Sequence, residues 1–170
     1  MKKPRSVPGW DEFYMGLAFW AAARSKDPNT QHGAMIVDVN HRPLGFGYNG
    51  APSRISDKEI NWKRPEKYPY IIHAEQNAID HCGGAYNALN GCTIYVTGLS
   101  CPPCMLRIIS KGIKRVVFGP QGSAMLDEAA VALVKDLVKM GSITLDEYVG
   151  NLNWMRDRMI WMENNLPSLF

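Results

Sequence analysis

Short β-rich segments alternate with helical segments through most of this sequence, and that order constrains the fold more than any other feature. Strand-like runs are expected at 33–39, 43–48, 92–97, 115–118 and 142–145. Helical runs are expected at 10–24, 73–82, 104–112, 124–141 and 151–165. Such alternation indicates helices layered on a sheet, and the turn NHRP after the first strand makes a hairpin plausible. The sequence therefore predicts an α/β fold with a mixed sheet.

The chain has 170 residues, which suits one domain spanning 1–170. An irregular stretch from 49 to 72 is long enough to indicate a functional loop. No apolar run approaches the roughly 18 residues of a membrane span, and the basic N-terminus lacks the apolar region of a secretory signal. We therefore expect a cytoplasmic protein without membrane association. In that compartment, paired cysteines more often serve metals or redox chemistry than disulfide bridges.

The stretch LSCPPC at 99–104 places two cysteines three residues apart, where a strand gives way to a helix. Cys101 and Cys104 would share one face at the helix N-terminus, where the helix dipole favours thiolates. Pro102 and Pro103 occupy the first turn, where missing N–H groups cost least, and the Cys104 N–H stays free to donate to the Cys101 sulfur. By itself the pair fits a redox dithiol, a disulfide loop or half of a zinc site.

The segment HAEQNA at 73–78 adds the residues that a catalytic zinc site needs. One histidine with two cysteines leaves the fourth zinc position open, and a nearby carboxylate can carry protons. His73 and Glu75 supply this pair of groups. The pattern H-x-E followed by P-C-x-x-C is the signature of zinc nucleobase deaminases, although Ser100 stands here in place of the proline. A zinc-stabilised binding module would instead need a fourth ligand and would have no use for Glu75.

Longer blocks of the sequence resemble the deoxycytidylate (dCMP) deaminase family. They are ARSKDPNTQHGAMIV, GFGYNGAPS, KYPYIIHAEQNAI and GCTIYVTGLSCPPC. The resemblance covers residues 10–145 and leaves a C-terminal helical extension at 146–170 outside it. It implies a three-layer α/β/α sandwich with a mixed five-stranded sheet. It also implies hydrolysis of dCMP to dUMP and ammonia, which feeds thymidylate synthesis.

The resemblance implies a role for each residue of the zinc motif. His73, Cys101 and Cys104 would hold Zn²⁺. Glu75 would take a proton from the attacking water, pass it to N3 of cytosine and then protonate the departing amine. The backbone N–H of Ala74 would meet the carbonyl of the base.

The resemblance also implies contacts to the rest of the nucleotide. Asn49 would hold the 3′-hydroxyl, and Arg24, Ser25 and Lys26 would lie near the 5′-phosphate. The guanidinium geometry of Arg24 suits a phosphate, although a cation at a helix end has the same sequence pattern. Asn49 is equally compatible with a simple turn residue.

Regulation and assembly follow from the same resemblance. We expect a homo-oligomer, with a hexamer favoured, that dCTP activates and dTTP inhibits, with Mg²⁺ accompanying the triphosphate. Gly47 and Gly50 let the backbone approach a ligand closely, so we assign the effector site to this turn and the loop after it. The loop at 54–70 mixes basic and aromatic residues, a composition typical of proteins that bind single-stranded nucleic acid. Its net charge is small, so no nucleic-acid partner is expected.

Two further features allow two interpretations each. His32 stands where members of the family usually carry a small apolar residue. We favour a satisfied histidine at a strand start over a changed pocket. The stripe of Leu152, Met155, Met159 and Met162 fits packing on the chain's own core and a subunit interface equally well.

Overall fold

In the computed structural model, which describes residues 3–83, 89–121 and 126–169, five strands form one sheet in the order β2-β1-β3-β4-β5. The strands are β1 (Gly33–Val37), β2 (Pro43–Tyr48), β3 (Thr93–Val96), β4 (Arg115–Phe118) and β5 (Thr144–Glu147). β1 pairs antiparallel with β2 and with β3, whereas β3, β4 and β5 run parallel. The expected mixed five-stranded sheet is confirmed.

Helices cover both faces of this sheet. They are α1 (Trp10–Ala22), α2 (Ala74–His81), α3 (Pro102–Ser110), α4 (Glu128–Met140) and α5 (Asn153–Asn165). The first two residues of the helix expected at 124–141 lie outside the described residues. Among the described helices, none has both the length and the apolar character that crossing a bilayer requires.

The side chains of the central strands alternate between two buried clusters. Ala34 and Ile36 of β1 face the cluster formed with α2, α3 and α4, whereas Met35 and Val37 face the one formed with α1. This period of two is what a strand covered on both faces requires. Three layers, helix–sheet–helix, follow from it, as expected.

An ionic network fastens the start of α1 to the sheet. Arg115 on β4 donates two hydrogen bonds, of 2.7 and 2.8 Å, to the carboxylate of Asp11. It also donates to Asp146 on β5, and the Tyr95 hydroxyl of β3 donates to Asp11. Because Asp11 belongs to the first turn of α1, its carboxylate also lies near the positive N-terminal end of that helix, where a negative charge is stabilising.

The C-terminal extension packs on α1 rather than standing free. The Trp154 ring lies 5.5 Å from the Phe13 ring between centroids. A Cβ placed on Gly16 would come within 2.9 Å of atoms of both Trp154 and Met155. The start of α5 therefore covers the outer side of α1, which supports packing on the chain's own core for this part of the stripe.

Most element boundaries lie within two residues of expectation, and α4 begins four residues late, at Glu128. β2 and β4 begin and end where the sequence predicts. β5 begins two residues later than expected, because Ser142 adopts a positive φ of 52° in the turn after α4. α1 ends at Ala22, two residues early, because the N–H groups of Arg24 and Ser25 bond to carbonyls only three residues back.

The pairing of the strands brings three chain segments to one edge of the sheet. The start of β1 lies beside the end of β3, through Ala34 and Val96, and beside the end of β2, through Gly33 and Tyr48. The N-terminus of α3 follows β3 directly after a short turn. The long loop closes at the same edge, where Gly50 and Ile72 exchange two backbone hydrogen bonds. This edge is therefore where the residues of the zinc motif meet.

Gly47 allows α2 to lie unusually close to β2. A Cβ at this position would lie 2.3 Å from the carbonyl oxygen of Ala74 and 2.3 Å from the nitrogen of Ala78. Both atoms belong to the backbone of α2, so no side-chain rotation could make room. Gly50, three residues later, has no atom nearer than 3.9 Å to such a Cβ.

We predict that Gly47→Ala lowers the free energy of unfolding by at least about 2 kcal/mol, because α2 must shift to admit the methyl group. Gly50→Ala is the matched control and should stay within about 0.5 kcal/mol of the parent. Urea unfolding followed by circular dichroism measures both. Equal stability of the two variants would show that the close approach does not constrain the fold.

Candidate active site

Three metal-ligand side chains converge at the N-termini of two helices. His73 directly precedes α2, and Cys101 directly precedes α3, with Cys104 one turn further along. The His73 Nδ1 atom lies 3.4 Å from the sulfur of Cys101 and 3.4 Å from that of Cys104. All three ligand atoms lie within 4.8 Å of one another, and no other such group was found among the described residues.

These distances fit a tetrahedral zinc ion. Zinc binds imidazole nitrogen at about 2.0 Å and thiolate sulfur at about 2.3 Å, which places N and S about 3.5 Å apart in a tetrahedron. The observed 3.4 Å is close to that separation. With three protein ligands, one coordination position stays available to water or substrate.

The electrostatics of the two thiols favour one negative charge when no cation is bound. A hydrogen bond from the Cys104 thiol, followed by ones from His73 and from the Cys104 backbone N–H, lowers the pKa of Cys101 to about 4, although burial opposes this. The neighbouring Cys101 and then burial raise the pKa of Cys104 well above its usual range. A divalent cation would supply the charge that stabilises the second thiolate.

Glu75 lies next to the metal ligands and is buried. It occupies the first turn of α2, and its side chain contacts Cys104. A hydrogen bond between His73 and Cys101 raises the pKa of His73 above its usual value. The Glu75 charge acts in the same direction with a smaller effect. The carboxylate is therefore placed to exchange protons with a molecule held at the open metal position, since its burial limits competing water.

A cavity of about 330 Å³ opens beside these groups. Its lining includes Glu75, His73, Ala74, Cys101 and Asn49. Aliphatic contacts come from Val96, Leu99, Ile71 and Leu126. A cavity of this size, mostly apolar with a few polar groups, is typical of a small-molecule site.

Asn49 lines the cavity, but much of its side chain is used within the protein. Its Oδ1 accepts from the backbone N–H of His32 at 2.7 Å, and its Nδ2 donates to the Thr30 carbonyl at 2.9 Å. The Ser25 hydroxyl donates to the Asn49 carbonyl at 2.7 Å. One N–H of the amide stays available to a ligand after these bonds.

The structure does not bring the two predicted phosphate cations into the cavity wall. Arg24 is exposed just beyond α1, and Lys26 forms an exposed ion pair with Asp57. Neither side chain lines the cavity. Ala74, in contrast, lines the cavity and is buried in the first turn of α2.

Sequence reasoning missed a buried ion pair among the residues that line the cavity. The Lys67 ammonium lies 2.6 and 2.5 Å from the two carboxylate oxygens of Asp27, and both side chains are at most 3% exposed. Burial alone would raise the pKa of Asp27, but hydrogen bonds from Lys67, Asn29 and Thr30 lower it below its usual value. The two residues are 40 positions apart, and no local pattern pairs them.

Comparison with known proteins agrees with this geometry. Residues 8–120 match the cytidine and deoxycytidylate deaminase zinc-binding region. Deoxycytidylate deaminase from Homo sapiens is 39% identical over 154 residues, which cover 87% of this chain and 84% of the relative. The mouse (Mus musculus) deoxycytidylate deaminase is 37% identical over 153 residues, which cover 86% of this chain and 84% of the relative.

A solved structure shares the fold. The dCMP deaminase from the cyanophage S-TIM5, in complex with dCMP and dUMP, aligns with a TM-score of 0.66. Its sequence is 23% identical, and the alignment covers 85% of this chain and 100% of the phage chain. Sequence match, fold and the geometry of the ligand residues lead to one conclusion: this chain belongs to the cytidine and deoxycytidylate deaminase family.

Proposed function

We propose that this protein hydrolyses dCMP to dUMP and ammonia, supplying dUMP for thymidylate synthesis. The observation that carries the proposal is the convergence of His73, Cys101 and Cys104 beside the buried Glu75 in one cavity. The choice of dCMP is supported by relatives of 37–39% identity that are named deoxycytidylate deaminases. The whole chain, 1–170, would form a single deaminase domain in which 146–170 is a helical extension.

The chemistry divides between the metal and the protein. Zinc held by His73, Cys101 and Cys104 would act as a Lewis acid that makes water nucleophilic near neutral pH. Glu75 accepts a proton as water adds to C4 of cytosine, and it delivers that proton to N3. It then carries the second proton to the amino group, which leaves as ammonia. The Ala74 N–H lies in the first turn of α2, where it has no partner within the helix, and it donates to the carbonyl oxygen of the base.

The remaining nucleotide contacts follow the wall of the cavity. Asn49 offers its free amide N–H to the 3′-hydroxyl. Arg24, Ser25 and Lys26 are assigned to the 5′-phosphate, because the Ser25 hydroxyl joins their segment to Asn49. Arg24 and Lys26 are exposed, so both would have to turn toward the bound nucleotide.

Regulation by nucleotides extends the proposal. We assign dCTP as activator and dTTP as inhibitor of a homo-oligomer, with a hexamer favoured and Mg²⁺ bound to the triphosphate. Gly47 is enclosed by α2, so of the two glycines only Gly50 presents open space to an effector. Saturation curves for dCMP, with and without each triphosphate, test this assignment.

The absence of disulfides among the four cysteines supports the cytoplasm as the site of action.

Zinc content tests the ligand set. We predict that Cys104→Ser loses most of its bound zinc, because a hydroxyl is a far poorer zinc ligand than a thiolate. Cys82→Ser is the matched control, since Cys82 bonds to the Ala78 carbonyl and lies outside the ligand cluster. Elemental analysis of both purified variants gives the ratio of zinc to chain. Full zinc occupancy in Cys104→Ser would rule out this ligand set.

Glu75→Gln tests the proton carrier. Glutamine keeps the shape of the side chain but cannot accept and return protons. We predict a loss of at least about 10⁴-fold in kcat on dCMP, the upper end of what general acid–base catalysis contributes, because one carboxylate serves several transfers. Zinc content and dCMP binding should persist. Activity within tenfold of the parent would show that another group moves the protons.

Arg24→Ala tests recognition of the phosphate. We predict that kcat/KM falls by more than tenfold on dCMP while any turnover of deoxycytidine is unchanged, since only dCMP carries the phosphate. Arg156→Ala removes an exposed arginine on α5 and serves as the control. An equal loss on both substrates would assign Arg24 a structural role instead.

A further inference from the structure

His32 is held rigidly where the cavity meets the sheet. Its backbone N–H donates to Asn49 Oδ1 at 2.7 Å, and its carbonyl accepts from the Asn49 N–H at 3.1 Å. The next residue, Gly33, begins β1. The His32 side chain lines the cavity together with His73 and Glu75. Its backbone position is therefore fixed by two hydrogen bonds to Asn49, which also lines the cavity.

A hydrogen bond to Thr97 determines which ring nitrogen of His32 carries the proton. The Thr97 hydroxyl is fully buried, accepts from the backbone N–H of Gly33 at 3.2 Å, and lies 3.2 Å from His32 Nδ1. If Nδ1 carried the proton, the Thr97 oxygen would accept twice and its own buried proton would have no acceptor. That arrangement is unfavourable, so Thr97 donates to Nδ1 and the proton resides on Nε2.

The neutral ring that this tautomer needs agrees with its surroundings. Burial lowers the pKa of His32, and it is the largest influence on the ring. The Glu75 and His73 charges act on the ring more strongly than the Asp27 charge. His32 and Glu75 line the same cavity, and Glu75 is the charged group with the largest effect on the ring.

The Nε2–H donor of His32 has no hydrogen-bond partner among residues 3–83, 89–121 and 126–169. The far side of the ring is closed by Gly98, where a Cβ would come within 3.2 Å of His32 Cε1. The ring thus lies between Thr97 and Gly98. The unpaired Nε2–H belongs to a side chain that lines the cavity. Such a donor is available to a ligand at no cost in reorganisation.

We propose that His32 is a specificity-determining residue, whose Nε2–H donates a hydrogen bond to an acceptor on the nucleoside part of the bound nucleotide. The assignment rests on the proposed function. The nucleoside part is chosen because His32 lines the same cavity as Glu75, which acts on the base, and is hydrogen-bonded to Asn49, which is assigned to the 3′-hydroxyl. The histidine at this strand start is thus satisfied at Nδ1 only.

Three substitutions separate this role from a structural one. The amide nitrogen of glutamine reaches the position of Nε2, whereas the amide oxygen of asparagine reaches only the position of Nδ1, where it can accept from Thr97. His32→Gln therefore keeps the donor toward the cavity, His32→Asn keeps the bond to Thr97, and His32→Val removes both. Each change is made in the zinc-loaded Glu75→Gln protein, so that dCMP and deoxycytidine are bound without turnover.

We expect the dissociation constants of dCMP and deoxycytidine to rise by about 5- to 100-fold in His32→Asn and His32→Val, because a ligand acceptor loses its partner in a closed site. His32→Gln should bind both within about threefold of the reference. Isothermal titration calorimetry gives the constants, and thermal unfolding shows that each variant is folded.

Other outcomes would overturn the inference. Normal binding by His32→Asn with weak binding by His32→Gln would show that His32 serves only to hold Thr97. If all three variants bind both ligands as tightly as the Glu75→Gln reference, Nε2 contacts no ligand atom. A loss confined to dCMP would place the acceptor on the phosphate. A reference protein that binds no dCMP would overturn the proposed substrate and the inference together, which distinguishes that failure from the others.

Discussion

The close contact between α2 and the β1–β2 hairpin sets the position of His73 and Glu75, and the rest of the site depends on it. Gly47 lets the backbone of α2 lie directly on β2, so the helix contacts the sheet through Ala74 and Ala78 rather than through long side chains. His73 directly precedes the same helix and Glu75 lies in its first turn, so the position of α2 places both side chains. A wider separation would move both groups away from the two cysteines on α3, whose place is fixed independently by β3. The distance from helix to sheet therefore decides whether three ligands can meet.

The sequence predicted the elements that depend on local pattern, and it missed the contacts that depend on tertiary packing. Strand alternation, the positions of β2 and β4, and the ligands at two helix N-termini all follow from spacing within short windows. The fold and the family are confirmed. The Asp27–Lys67 pair and the bond from His32 to Thr97 join residues 40 and 65 positions apart. No periodicity signals such pairings, because each partner alone looks like an ordinary polar residue of a loop or strand end.

The long segment from 49 to 72 is ordered by three different kinds of contact. Its ends are closed by the backbone pairing of Gly50 with Ile72. Its middle is braced by the Trp62 indole, which donates to the Asp57 carbonyl. Near its end, the Lys67 ammonium forms a buried ion pair with the carboxylate of Asp27. Such contacts give an irregular segment the rigidity that ligand recognition needs, since a loop ordered before binding loses less entropy when the ligand arrives.

The burial of Lys67 and Asp27 also has a consequence for how this sequence can change over generations. Losing either partner alone would leave an isolated charge in the interior, which costs about 3–5 kcal/mol and is comparable to the whole stability of many domains. We therefore expect a single substitution at either position to be strongly destabilising, whereas replacing both residues with apolar ones should cost much less. The loop from 49 to 72 and the turn after α1 consequently form one packing unit. A chimera that grafts the loop from a relative lacking this lysine must carry the matching turn with it.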